Sequence, residues 1–412
     1  MRPSPTTATR AARRGLALIS AVLLSATALA QISPARAAAA PATIDGLTYV
    51  ATPGNPTAGA TVTSCGTAGP TISVPDTVTI EGVDYAVTAI GDYACDRGQL
   101  TSVTLPNALA SIGYAAFYGN QLGSLTQPDT LTTVGGHAFA QNHLTSLTMS
   151  HSLTTIGYHA FAENRLTSVA LPESLTTVGA GAFHINHLES ITLHDGLTAI
   201  GANAFSANRL TSVALPESLG TIGNWAFEAN RLTSVLLPDS LTSIGEGAFG
   251  FNPELTQVRF TGPAPATITG ADQQYPSLGT AAGLTVAFHA RHQGQTSQQG
   301  FTTPEWHGYT AMPAYTLTFD TGVSGSLVEP EIVWPGAPLT MPADPVRPSH
   351  VFTGWFTQLY PRRPFDPQAP LTSDLTLRAG WKYSQDSTRP PLVSSTSLNL
   401  GSLGALEAVP GD

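Results

Sequence analysis

Two kinds of side chain stand in this chain at spacings that could do chemistry. Asp129, Glu173, Asp195, Glu217 and Asp239 fall on a 22-residue interval, with Asn107 and His151 at other steps of the same series. A second series on that interval holds Gln121, His143, Arg165, His187, Arg209 and Arg231. A column of carboxylates could collect Ca²⁺, but these lack the dense Asp and Gly spacing of a calcium loop. His137 and His159 share a column and should be near neighbours, with no third ligand beside them. His289 and His292 are three apart and equally bare of further ligands. The one lysine, Lys382, excludes a phosphate loop ending Gly-Lys-Ser/Thr and disfavours Schiff-base chemistry. No His-Glu-x-x-His and no Gly-x-Ser-x-Gly occurs. These residues point to an ordered array of charge, with no catalytic residues, no metal and no cofactor.

The interval belongs to the whole chain between Leu100 and Asn252. A 22-residue unit repeats there seven times without a gap, starting at Leu100, Leu122, Leu144, Leu166, Leu188, Leu210 and Leu232. Each unit reads approximately L-T-S-V-x-L-P-x-x-L-x-x-I-G-x-x-A-F-x-x-N-x. A repeat of this length signals a solenoid, and the L-x-x-L-x-L opening is the leucine-rich repeat pattern. One unit cannot bury its own apolar face, so its neighbours must cover it and both ends need caps. The first apolar columns alternate as in a short strand with one buried face. The Gly column, from Gly113 to Gly245, requires either positive φ or tight backbone contact. The Phe column, from Phe117 to Phe249, should stack as an aromatic spine. The closing Asn, from Asn120 to Asn252, should satisfy buried backbone groups in the turn.

Outward strand positions are Ser and Thr: Ser102, Thr104, Ser124, Thr126, Ser146, Thr148, Ser168, Ser190, Thr192, Ser212 and Ser234. This hydroxyl face has Arg165, Arg209 and Arg231 along the edge before the strand. Glu173, Asp195, Glu217 and Asp239 line the edge after it. Read plainly, both rails are solvated edges of a soluble solenoid. Read functionally, they border a groove for an extended polar ligand, and Ser102, Thr104, Thr126, Thr148 and Thr192 with the rail residues are its candidate binding groups.

The ends set the context. Residues 1–37 have a basic start, an apolar run over 15–30 and an Ala35-Arg36-Ala37 cleavage site, with Ala28-Leu29-Ala30 as a rival. That is a secretory signal peptide. Cutting after Ala37 removes five arginines and no acid, leaving 12 basic and 27 acidic residues, a formal charge of −15. Nucleic acid and anionic membranes suit such a surface poorly, and no later stretch is long and apolar enough to span a bilayer. Cys65 and Cys95 should form a disulfide tying the N-terminal cap to the first turn, as an oxidising compartment permits. Residues 38–99 form that cap with an irregular first repeat, 100–252 the seven repeats and 253–312 a C-terminal cap. Residues 313–382 make a small β domain anchored by Trp355, Phe356 and Trp381, and 383–412 a flexible tail.

The repeat resembles the BspA-like leucine-rich repeats of bacterial surface proteins. The likeness rests on Leu-Thr-Ser-Val-x-Leu-Pro, as at 232–238, and Ile-Gly-x-x-Ala-Phe, as at 244–249. Residues 314–382 resemble a Listeria–Bacteroides repeat, a β-grasp-like module also found in internalins, through Tyr315 to Phe319, Phe352-Thr353-Gly354-Trp355 and Leu375 to Leu377 with Trp381. Ser349-His350 replaces that family's Gly before the aromatic, and no Leu-Pro-x-Thr-Gly sorting motif follows. The resemblance implies a mainly β solenoid followed by a β-grasp-like domain. It further implies a secreted or cell-surface adhesion-type protein that binds an extracellular protein or glycan. The alternative is a structural envelope or spacer protein without a specific ligand. N-terminal sequencing of exported material should find a chain beginning near Ala38; an intact Met1 outside the cytoplasm would contradict the signal-peptide reading.

Overall fold

A 22-residue coil must turn back on itself and stack in register, and the backbone shows how. In the computed structural model the described residues are 40–384, apart from 53, 67–68, 271–272, 295–299, 324–326 and 360–361. The expected signal peptide, 1–37, lies outside them, as does the expected tail beyond residue 384. Each coil places its second short strand beside that of the next. Ala89–Ile90, Ser111–Ile112, Thr133–Val134 and Thr155–Ile156 pair in parallel, as do Thr177–Val178, Ala199–Ile200, Thr221–Ile222 and Ser243–Ile244. The first strand of the coil is less regular. Thr71–Ser73 pairs with Ser102–Thr104, Ser124–Thr126 with Ser146–Thr148, and Ser168–Ala170 with Ser190–Thr192. Ser212–Ala214 adopts no strand, so the sixth repeat departs from the one-strand expectation.

The Gly column decides the regularity of the second ladder. None of these seven glycines has positive φ, so close contact is the reason for glycine. A Cβ on Gly157 would lie 2.4 Å from the Gly136 backbone, and one on Gly179 would lie 2.3 Å from the Ile156 carbonyl oxygen. Adjacent coils touch through these bare backbones. Positive φ occurs two residues later instead, at Ala115, His137, His159, Asn203 and Trp225 among others, and again near the coil's end at Gln141, Glu163, Ile185 and Phe251.

Inside, Phe117, Phe139, Phe161, Phe183, Phe205, Phe227 and Phe249 are buried. They stack with centroids 5.1–5.6 Å apart and planes within 15° of parallel. That is the offset stacking favoured by the ring quadrupole. Each closing Asn is buried and fully bonded. The Asn164 Oδ1 accepts from the Leu144 N–H at the start of its own coil. Its Nδ2 donates to the Phe161 carbonyl of the same coil and to the Phe139 carbonyl of the coil before.

Cap strands Ala42–Ile44, Leu47–Ala51 and Ala60–Ser64 run antiparallel, and Ala60–Ser64 joins the second ladder through Val83–Ile90. Cys65 and Cys95 are bonded, and Cys95 stands one coil below Phe117, where the spine ends. At the other end Ser234–Leu237, Gln257–Phe260, Thr285–His289 and Tyr309–Asp320 continue in parallel. Tyr309–Asp320 then pairs with Glu331–Val333 and Leu375–Tyr383. The expected division at 312/313 therefore falls inside one strand, which gives the solenoid's open sheet edge a partner. The small domain buries Leu317, Phe319, Trp355, Leu377 and Ala379, with Trp381 packed against them. Phe356 lies outside that cluster, against Gly380 and beneath the Arg362 guanidinium.

Asn164→Ala leaves the buried Leu144 N–H without a partner, at about 1–3 kcal/mol, and takes one of two donors from the Phe139 and Phe161 carbonyls, each lost bond being worth about 0.5–1.5 kcal/mol. A loss of roughly 3 kcal/mol should appear in urea unfolding, against a Thr167→Ala change at an exposed neighbour that should cost under about 0.5 kcal/mol. Equal effects would remove the Asn from its sewing role.

Candidate binding site

The Ser and Thr residues of this solenoid divide into two groups. One group is bonded to the coil before: the Thr132 hydroxyl donates to the Ala110 carbonyl, Thr154 to Thr132, Thr198 to Thr176 and Thr242 to Gly220. Ser174, Ser218 and Ser240 likewise donate to Leu153, Leu197 and Leu219 carbonyls. These positions flank the second ladder and help hold the coils in register. The outward positions of the first strand differ. Ser102, Thr104, Ser124, Thr126, Ser146, Thr148, Ser168, Ser190, Thr192, Ser212 and Ser234 are all exposed. Their hydroxyls make no hydrogen bond among the described residues.

In the paired segments Ser124 stands beside Ser146, Thr126 beside Thr148 and Ser168 beside Ser190. Within a paired segment the hydroxyls therefore repeat at about the 4.8 Å strand spacing. The row is not uniform: Ala170 and Ala214 take the Thr position, and at Leu236 it is an exposed leucine.

Both charged columns are exposed. Arg165, Arg209 and Arg231 lie just before the next strand, and each sends only its backbone N–H to the first Leu of its own coil, Leu144, Leu188 and Leu210. Their guanidinium groups make no ion pair among the described residues. Glu173, Asp195 and Glu217 are exposed beyond the strand. Asp239 meets Arg291 of the C-terminal cap at 3.6 Å, so the acidic column is partly neutralised at that end. Asp129 meets His151 at 3.0 Å within the column, and this contact holds its carboxyl below the usual range.

Neither histidine pair gathers a third donor. The His289 Nε2 bonds Thr316 Oγ1 at 2.6 Å, and the His292 Nε2 accepts from Arg291. Among the described residues no three His, Cys, Asp or Glu side chains converge as a metal site needs.

A family model for the BspA type leucine rich repeat region matches residues 88–208 and 182–269, with 6 copies. The chain carries BspA type leucine-rich repeats. A second model, the Listeria-Bacteroides repeat domain, matches residues 315–380. Solved structures similar to this chain include a leucine rich cell surface protein from Faecalibacterium prausnitzii A2-165, 22% identical, TM-score 0.42, over 60% of this chain and 76% of that one. A leucine-rich repeat protein from Bacteroides ovatus ATCC 8483 is 21% identical, TM-score 0.45, over 60% and 70%. The pneumococcal vaccine antigen PcpA is 19% identical, TM-score 0.33, over 60% and 87%. No curated protein matches the sequence. Among the described residues no helix is long and apolar enough to cross a membrane.

Sequence reasoning missed the aromatic side chains that crowd the turn side of the first coils. Tyr93, Tyr114, His137, Tyr158 and His159 contact one another with centroids 5.1–6.4 Å apart. His137 and His159 lie stacked 5.1 Å apart, half-buried in this cluster where plain surface residues were expected. The signal lay in the two variable positions after each Gly, where His137 and His159 read as neighbours but Tyr114 and Tyr158, two coils apart, invite no reading as a column. Burial, then the neighbouring His159, lowers the affinity of His137 for a proton, with Glu163 opposing. His184 is lowered by the same two causes in the same order.

Because the folded state binds these protons more weakly, their neutral forms stabilise fully above the unfolded histidine pKa, about 6.5. That contribution is lost as pH falls below this value and through the lower folded pKa. Thermal unfolding between about pH 7 and pH 5 should therefore show stability falling. His137→Tyr, which copies Tyr93 at the same column, should shrink that fall; an unchanged slope would assign it to other groups.

Proposed function

We propose that this chain is a secreted or cell-surface, non-enzymatic binding protein that holds an extended extracellular polymer, protein or glycan, along the first-strand face. Three features support the reading. The outward hydroxyls are exposed and unbonded, while those on the second ladder are bonded within the solenoid. The arginine column stands unpaired beside them. Leucine-rich repeats of this type occur in bacterial surface proteins. A uniform row of donors and acceptors suits a ligand that itself repeats, and weak contacts along it add through effective concentration. Charges on the two edges would orient a polar chain and act mainly on association rate and salt dependence.

The alternative, a spacer with no ligand of its own, predicts that the small C-terminal domain does any binding. Arg165, Arg209 and Arg231 replaced together by Ser should leave stability within about 1 kcal/mol, since all three are exposed. Capture of immobilised extracellular-matrix extract by the mature chain should weaken roughly ten-fold at low salt, three rim charges being worth about 0.2–1 kcal/mol each, and by less at high salt. If capture is unchanged but lost on deletion of residues 314–382, the solenoid is a stalk that presents the C-terminal module.

A further inference from the structure

The seventh coil ends where the repeat loses register, and there the surface is no longer uniform. The cap loop from Gln273 to Gly283 folds back over this coil. The Ser277 carbonyl accepts from the Phe249 N–H, and the Tyr275 carbonyl from the Gly247 N–H. Between loop and coil lies a cavity of about 600 Å³, within the range of small-ligand sites. Trp225, Phe251 and Tyr275 give it three aromatic walls. The Trp225 ring lies against Gly247, where an added Cβ would sit 2.2 Å from ring atoms, and the Tyr275 ring meets it edge-on at 4.7 Å. Phe251 is 71% exposed and Tyr275 42% exposed, so aromatic surface stays in contact with water.

None of the described residues that line the cavity is charged. The backbone donors of its three glycines are occupied: the Gly247, Gly250 and Gly279 N–H groups bond to Tyr275, Gly247 and Pro276 carbonyls. The Asn252 amide is used inside the coil. The cavity's polar side-chain tips are the Gln274 carboxamide, which donates to the Tyr275 hydroxyl at 3.0 Å, and the Thr280 hydroxyl. A peptide that adds as a strand needs a row of free backbone groups at a sheet edge, and none of these glycines offers one. A sugar ring needs an aromatic face for its C–H side and amides or hydroxyls around its edge, which this cavity has.

We propose that this cavity binds one neutral pyranose residue of a glycan, stacked on Trp225 and Tyr275. It uses none of the first-strand hydroxyls and none of the rail charges, so it stands or falls apart from the function proposed above.

The test is calorimetry and ligand-observed NMR on the mature chain with maltotriose, mannotriose, galactotriose and triacetylchitotriose. A proline-rich decapeptide serves as the competing class. One trisaccharide should bind, and its affinity should not change between low and high salt, because no charge is involved. Trp225→Asn copies Asn203 at the same column one coil earlier, so the coil accepts it, and it should weaken binding at least ten-fold. Phe251→Ser, at a side chain already in water, should weaken it several-fold while unfolding stays as in the parent. The triple arginine variant should bind the sugar as the parent does. The proposal is overturned if none of the four sugars binds. It is equally overturned if the bound sugar is indifferent to both Trp225→Asn and Phe251→Ser, or if only the peptide binds.

Discussion

The closing asparagine is the constraint on which the rest of the solenoid depends. A 22-residue coil has almost no regular secondary structure, only five or so strand residues, so most of its backbone groups have no ladder to satisfy them. Burying those groups unpaired would cost several kcal/mol per coil. A single carboxamide supplies one acceptor and two donors at the point where the coil closes. In each repeat from Asn120 to Asn252 it takes the N–H of the coil's first Leu and gives to a Phe carbonyl of the same coil. It also gives to a carbonyl of the coil before, that of Cys95 for Asn120 and Phe227 for Asn252. Closure and stacking are thus one interaction. A coil cannot close correctly without fixing its register on its neighbour, which is why the Phe rings fall into one line and the outward positions into columns.

Much of this was legible because a repeat tests each position seven times. The Phe spine, the structural Asn and the leucine-rich solenoid all follow from residue type at a fixed offset, and the Cys65–Cys95 bond from a single pair of cysteines in a chain read as exported. The Gly column was legible only as a pair of alternatives, since positive φ and close approach leave the same mark in sequence. The structure chooses close approach, because the backbone of each Gly lies against the backbone of the coil before it. Positive φ falls on Ala, His, Asn, Trp, Gln and Glu instead, where the coil's closure imposes it and no residue type announces it. The loss of strand at Ser212–Ala214 was likewise invisible, for that repeat reads like the others. So was the strand shared by cap and small domain, since Tyr309 to Asp320 contains Pro313, which the sequence reading set beside a boundary.

The candidate face was legible in its residues but not in what makes it a candidate. Sequence alone gives a Ser/Thr-rich surface on both sides of the coil. Only the hydrogen bonds separate them. Hydroxyls beside the second ladder reach the carbonyls of the preceding coil, because the Gly column brings the coils together there. Hydroxyls on the first strand point along the outward normal of a pleated strand, where no carbonyl is within reach. Their lack of a partner is therefore a consequence of strand geometry, and a ligand lying across them would complete bonds that the solenoid cannot.

Repetition and selectivity pull in opposite directions on such a scaffold. Seven near-identical coils present near-identical groups, so a ligand bound along them can slide by one coil at little cost, and affinity comes from number. Selection of one chemical species needs groups that occur once. On this chain those sit where the register breaks. Trp225 is the single Trp of the repeats, Phe251 stands where other coils carry Gly, Gln, Glu, Ile or Ala, and Tyr275 comes from a loop that exists because the repeat has ended. The break that caps the hydrophobic spine also collects three unlike aromatics around one cavity. On the two proposals made above, the solenoid would divide labour along its length: uniform coils for holding on, and an irregular end for telling ligands apart.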